Sequence, residues 1–293
     1  MRTENEMLDL ILDYAKSDER VRAVTMEGSR TNPNAPRDLF QDYDISYHVT
    51  EMESYLRNPG WIDVFGERII LQMPEDMCMF PPELGARFSY LMLFADGNRI
   101  DLTLIPVEEV EAYCKEDKLM KVLLDKDGRF PELPAPTDED YWVKRPTAEW
   151  FADCCNEFWW VSTYVAKGLW RKEMLYAQEH LNRYVRPMLI KMLEWQAGIG
   201  TGFAVSAGKN GKYLENYLPE PSWRTLMATY ADGSYESVWN ALFAAGELFR
   251  RTAVHVAGDL GFEYPEEDDR RVTAYLKRVR QLPPNARDFD VPG

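Results

Sequence analysis

Gly28-Ser29-Arg30-Thr31-Asn32-Pro33-Asn34-Ala35-Pro36-Arg37-Asp38-Leu39-Phe40-Gln41-Asp42-Tyr43-Asp44 is the stretch whose reading decides the fold. It opens as a short turn, Gly28-Ser29-Arg30, and passes through a polar, proline-containing loop. It ends as Asp42-Tyr43-Asp44 running into the apolar segment Ile45 to Val49. In a strand, alternate side chains share a face, so Asp42 and Asp44 point the same way. Two neighbouring carboxylates repel unless something positive lies between them. A divalent metal meets that need, and oxygen-only ligands suit Mg²⁺. Gly28 lets the backbone approach a ligand closely, and Ser29 offers a hydroxyl and an N–H to phosphate oxygens.

Working outward, residues 4–16 carry Met7, Leu8, Leu10, Ile11, Leu12, Tyr14 and Ala15, a helical pattern with a broad apolar face. Arg20 to Met26 then reads as a strand ending at Gly28. Residues 51–65 suggest a second helix broken at Pro59-Gly60, and Arg68 to Met73 a short strand. Phe88 to Ala95, the turn Asp96-Gly97 and Arg99 to Ile105 form a hairpin pattern. In its second strand Ile100, Leu102 and Leu104 face a core, which leaves Asp101 on the other side. A lone carboxylate in mid-strand is often only a solvated face, but beside an Asp pair it suits a third ligand.

The pattern apolar-Gly-Ser, twelve residues, then Asp-x-Asp resembles the signature of the polymerase-β-type nucleotidyltransferases. EGSR, QDYDISY and RIDLTLIP are similar to the aminoglycoside 6-adenylyltransferases, and VAKGLWRK looks like that family's too. The resemblance runs from the first helix to about residue 265, and the tail EEDDRRVTAYLKRVRQLPPNARDFDVPG departs from it. It implies an α+β protein: a nucleotidyltransferase domain with a small mixed sheet flanked by helices, then a helical bundle. It also implies transfer of AMP from ATP to the 6-hydroxyl of streptomycin.

On that reading Asp42, Asp44 and Asp101 hold one or two Mg²⁺, with Asp101 either a ligand or the base for the attacking hydroxyl. Gly28 and Ser29 cradle the β- and γ-phosphates, Arg30 contacts them or is a solvated loop arginine, and Lys167 is the candidate cation for pyrophosphate. The two guanidinium groups of streptomycin need carboxylates. Asp153 and Glu157, four apart on one helical face, are candidates, with Glu83 a weaker one; an ordinary polar stripe explains the helical pair nearly as well.

Composition sets bounds. The chain has 293 residues, 45% of them apolar, with 9 Trp, 16 Tyr and 13 Phe, so it has the means to build a core. Net charge is −15 and the pI is near 4.8, which argues against a nucleic-acid partner. A negative field suits a small cationic substrate, although many proteins are acidic for solubility alone. Cys78, Cys114, Cys154 and Cys155 contain no CxxC and read as reduced core thiols of a cytoplasmic protein. No signal-peptide pattern and no membrane-length apolar run is apparent. Monomer and homodimer both stay open.

Glu108 to Leu124 reads as helical. The acidic, proline-rich PELPAPTDED marks a linker, with domains expected at 1–135 and 136–293. Beyond it the expected helices are Ala148 to Trp170 capped by Thr147, Lys172 to Gln196 kinked at Pro187, Ser222 to Tyr230, Tyr235 to Ala257 and a last short one, then a loose tail from Pro283 to Gly293. Gly198 to Gly211 reads as a glycine-studded loop. Its Gly-x-Gly-x-Gly follows a helix, and Gly208-Lys209 lacks a following Ser or Thr, so neither is a nucleotide loop. His48, His180 and His255 suit satisfied core or surface roles, His48 standing ~13 Å along the strand from Asp44. Trp150, Trp159 and Trp160 read as helix core, with substrate stacking as the second reading. Competing functions are adenylylation of another hydroxyl, on a lincosamide or a protein, and non-catalytic binding of a cationic ligand.

Overall fold

Thr3 begins the first helix by accepting from Glu6 N–H while the Glu6 carboxylate accepts from Thr3 N–H, a reciprocal cap. In the computed structural model, which describes residues 1–289, this helix is α1, Glu4–Ser17, with Met7, Ile11 and Ala15 on its buried stripe. The chain divides into two compact units, Met1–Asp140 and Tyr141–Gly293.

In the first unit α1 is followed by β1, Val21–Glu27, and a single 3₁₀ turn, Gly28–Arg30. Then come β2, Tyr43–Val49; α2, Met52–Arg57; a 3₁₀ run, Pro59–Phe65; and β3, Arg68–Gln72. The hairpin is β4, Phe88–Phe94, and β5, Arg99–Pro106. A one-turn helix α3, Val110–Tyr113, and β6, Met120–Asp125, complete the unit.

The six strands form one sheet in the order β3-β4-β5-β2-β1-β6. Only β2 and β5 pair in parallel, so the sheet is mixed. One face packs Tyr43, Ile45, Tyr47, Ile100, Leu102 and Leu104 into a core with α1, and Tyr47 Oη donates to Ile11 C=O at 2.6 Å. The residues between them, Asp44, Ser46 and His48 on β2 and Asp101 and Thr103 on β5, take the opposite face. Alternation alone produces that division.

Two expectations fail in this unit. Glu108 to Leu124 is not one helix: the helix stops at Tyr113, and Met120–Asp125 is a strand along the free edge of β1. A six-residue apolar run does not distinguish helix from strand, and here an unpaired edge decides. Cys78 is exposed and Cys114 only partly buried, so the core-thiol reading holds for Cys154 and Cys155 alone; all four are free.

The second unit is helical: α4, Ala148–Trp170; α5, Met174–His180; α6, Arg186–Thr201; α7, Glu220–Ala228; α8, Tyr235–Leu260; and α9, Glu266–Gln281. Thr147 caps α4 through Trp150 N–H. Phe158 of α4 stacks on Phe249 of α8 with ring centroids 3.8 Å apart, at the middle of the core. The carboxylate of Asp269 accepts from Arg250 and from Tyr264 Oη, which ties α9 to α8.

The break expected at Pro187 is a π-helical turn, Leu181–Val185, because proline removes a donor and crowds the turn before it. α6 runs on to Thr201, so Gly198 and Gly200 lie inside a helix and the loop starts at Gly202, which closes α6 in the left-handed conformation. α9 has 16 residues rather than being short. Trp159 is buried, but Trp150 and Trp160 are 65% and 58% exposed, against the expectation of core for all three. Of the expected loose tail, residues 290–293 lie outside the described residues.

Candidate active site

Strand register builds the site. Across β1, β2 and β5 the directly paired residues are Glu27, Asp44 and Asp101, which puts three carboxylates in one row on the polar face. The next row is Thr25, Ser46, Thr103 and Ser89, small hydroxyl residues from four strands. Asp42, just before β2, shares the face of Asp44. One carboxylate oxygen each from Asp42, Asp44 and Asp101 lies within 4.8 Å of the others, the one such acidic cluster among the described residues.

Gly28 stands against this row. Its φ is +69°, in the left-handed region, and a Cβ there would lie 3.0 Å from Asp44 Cγ and closer still to Asp44 Oδ2. The glycine is therefore required twice, for its backbone conformation and for the room it leaves the carboxylate. Ser29 follows within the 3₁₀ turn, its C=O accepting from Gln41 Nε2 at 3.2 Å.

Arg30 is engaged within the protein. Its Nε donates to Asp42 C=O at 2.9 Å and its Nη2 to Gln41 C=O at 2.8 Å. The guanidinium lies 3.7 Å from the centroid of the Tyr43 ring, and Nη1 is 3.4 Å from Glu4.

Burial pushes Asp44 up to about 7, with Asp42, Asp101 and Glu27 adding in that order and Arg99 opposing. Burial also pushes Glu27 up to about 7, against the hydrogen bonds it accepts. Arg99 is the cation that meets the cluster in this structure. It chelates Asp101 through Nε at 2.7 Å and Nη2 at 2.6 Å, and its Nε is 3.8 Å from Asp42. The donor set is all oxygen, crowded, and held together against its own repulsion, so it fits a hard divalent ion such as Mg²⁺.

Beside Asp101 runs an apolar groove of 430 Å³ lined by Leu39, Phe40, Ile70, Leu91 and Leu93, with Arg99 at its edge. Phe40 is 83% exposed there.

The remaining candidates lie on other elements. Glu83 is exposed in the loop before β4. In the second unit Asp153 is exposed and Glu157 partly so, on α4. Lys167, on the last turn of α4, has its Nζ 4.5 Å from the Tyr164 ring and 5.8 Å from the Tyr176 ring. His180 is partly buried with its ring tilted against those of Tyr176 and Tyr184, and His255 is exposed with Nε2 3.4 Å from Asp259.

Two residues of the site escaped the sequence reading. Arg99 is two before Asp101, on the same face by alternation. Glu27 directly precedes the glycine turn and alternates with Thr25. The signal was there in both cases, but a single charged residue at a strand end carries little weight without its register.

The sequence profile of the streptomycin adenylyltransferase family matches residues 1–279. The chain belongs to that family. The match passes residue 265, where the resemblance was expected to stop, and takes in most of α9. Among the family's curated members, an aminoglycoside 6-adenylyltransferase of Bacillus subtilis (strain 168) is 51% identical over 280 residues, 95% of this chain and 98% of its own. One from Campylobacter jejuni is 49% identical over 96% of this chain and 97% of its own length. A crystal structure of an aminoglycoside 6-adenyltransferase from Bacillus subtilis aligns at 47% identity, with 96% of this chain and all of that chain covered and a TM-score of 0.48. No helix among the described residues is long and apolar enough to cross a membrane.

Proposed function

We propose that this member of the streptomycin adenylyltransferase family transfers AMP from ATP to a hydroxyl of an aminoglycoside, with the 6-hydroxyl of streptomycin as the acceptor. The observation that carries the reading is the convergence of Asp42, Asp44 and Asp101 beside the Gly28-Ser29 turn. The names and high identity of the curated relatives support the acceptor class.

Adenylyl transfer asks a protein mainly to position two substrates and to offset charge. Asp42, Asp44 and Asp101 would hold one or two Mg²⁺. When bound, the ion neutralises triphosphate charge and lowers the cost of expelling pyrophosphate. Gly28 gives the triphosphate access to the backbone, and Ser29 offers its hydroxyl. Arg30, already committed to two carbonyls, fixes Asp42 rather than the phosphates. Arg99 releases Asp101 when the site fills and is then free to face the new anion. Asp101, at the open side of the row beside the groove, ligates or accepts the proton of the attacking hydroxyl. The groove at Phe40 and Leu91 gives a flat ring an apolar face.

Lys167 serves the leaving pyrophosphate, and Asp153, Glu157 and Glu83 serve the guanidinium groups of the acceptor. The reaction takes place in the cytoplasm, where ATP is.

Pyrophosphate release from ATP and Mg²⁺, with and without streptomycin, tests the reading, and product mass with NMR assigns the hydroxyl. Release dependent on streptomycin is expected. Release only with a lincosamide or protein acceptor moves the acceptor class, and binding of streptomycin without release makes the chain a non-catalytic binder. Asp42→Asn and Asp44→Asn should each cost at least a hundredfold in kcat with the circular dichroism spectrum kept, the scale of losing one charge-stabilising group. Wild-type rates in either variant would refute the site.

A further inference from the structure

We infer that Glu27 is a fourth acidic member of the site, a positioning residue that raises its affinity for a divalent cation without ligating it. The inference rests on the metal reading above and adds to it. Glu27 is the β1 partner of Asp44, as Asp101 is the β5 partner, so Asp44 stands between two carboxylates in one row. Adjacent strands are about 4.8 Å apart, near enough for the charge of one carboxylate to act on the next. Glu27 does not belong to the group whose oxygens fall within 4.8 Å of one another, which sets it outside the ligand set.

The protein spends structure on holding this acid in place. Tyr113 Oη donates to Glu27 Oε1 at 2.5 Å. Ser46 Oγ stands 3.3 Å from Glu27 Oε2 and 2.9 Å from Tyr113 Oη, so its single proton is divided between them. Tyr113 is itself buried on α3 and lies under the guanidinium of Arg87 at 5.2 Å. Among the described residues no cation is within ion-pair distance of Glu27, whereas Asp101 has Arg99, and Glu109 and Glu116 have Arg87. A carboxylate clamped by neutral hydroxyls, without a counter-ion and one strand from a crowded acid triad, adds negative potential where a divalent ion would bind. That potential favours the ion-bound protein and burdens the empty one.

Mn²⁺, followed at pH 8, above the range to which burial raises Glu27, by the loss of its free EPR signal on titration with the purified chain, is the probe. Glu27→Gln keeps the shape and one acceptor oxygen, for Tyr113 or for Ser46, while removing the charge and putting an amide NH2 in place of the other oxygen. Its Mn²⁺ affinity should fall about tenfold, the order for one charge acting on a divalent ion at this range, while the melting temperature of the metal-free variant holds or rises. Its kcat should return to near the wild-type value in excess Mg²⁺. Unchanged Mn²⁺ affinity overturns the inference.

If affinity and melting temperature fall together, Tyr113→Phe decides, because it removes the clamp and keeps the charge. Affinity within twofold of wild type in that variant assigns the effect to charge, as inferred. A matching tenfold loss makes Glu27 architectural and overturns the inference. Asp44→Asn is the control: if it too binds Mn²⁺ like wild type, the metal reading itself fails, and if only Glu27→Gln does, the inference fails alone.

Discussion

The acids of the sheet and the acids of α4 are placed by different means. Asp44 and Asp101 are neighbours because β2 and β5 pair in parallel at that register, although they are far apart in sequence. Asp153 and Glu157 are neighbours because a helix brings i and i+4 together, and both reach toward solvent. A sheet can hold carboxylates together against their repulsion, since the backbone ladder and the core on the other face set the spacing. A helix surface cannot, because exposed side chains swing apart and water screens them. The sheet row therefore stores a demand for a cation, whereas the helix pair only offers a weak preference for one.

The hardest blow to this comparison is Gly28→Ala. The left-handed φ costs a non-glycine residue about 1–2 kcal/mol, and the new methyl meets Asp44. A drop of more than a hundredfold in kcat/KM is expected, together with a lower melting temperature. An active, equally stable Gly28→Ala enzyme would mean that the row tolerates displacement and that the sheet does not hold its spacing.

A second test probes the polar face beyond the acids. His48 is fully buried between the rings of Tyr113 and Phe130, with Nε2 3.2 Å from Thr25 Oγ1 and Nδ1 without a hydrogen-bond partner. Burial pushes it down to about 4, with Arg87 adding to the effect. The unfolded chain then takes up a proton near pH 6.5 that the folded chain refuses until about 4. Stability is thus present above 6.5 and is lost as pH falls toward 4. The His48 contribution to the change between pH 7 and pH 5 should be about 2 kcal/mol, read as the difference in urea midpoints between wild type and His48→Leu, because the raised carboxyls of Asp44 and Glu27 act in the opposite direction over the same range. Identical profiles for the two proteins would place the titration elsewhere.

The mildest test concerns α4. Asp153→Asn and Glu157→Gln should raise KM for streptomycin about twofold to tenfold with kcat kept, and more at low salt than at high. Lys167→Met should instead lower kcat, since pyrophosphate is charged most fully as it leaves. No change in any of the three would confine the chemistry to the sheet.

The legible parts of this chain were those where period and punctuation coincide. Ile100, Leu102 and Leu104 alternate with Asp101 and Thr103, and Asp96-Gly97 marks the turn, so the hairpin could be read within a residue. Thr147 announced α4 in the same way. Met120 to Asp125 was misread because a short apolar run takes its conformation from the edge it finds. Glu27 and Arg99 were missed for a related reason. Which residue of β1 faces Asp44 depends on pairing across the sheet, and no local pattern encodes it. Asp42, Asp44 and Asp101 could be named as candidates, but their distances from one another could not.

Arg30 grips the far end of its own loop by two main-chain oxygens, those of Gln41 and Asp42. A clasp on backbone atoms is indifferent to the side chains it encloses. Residues 32–38 should therefore be free to drift in evolution while the number of residues in the loop stays put, and an insertion there should loosen the first aspartate long before any substitution does.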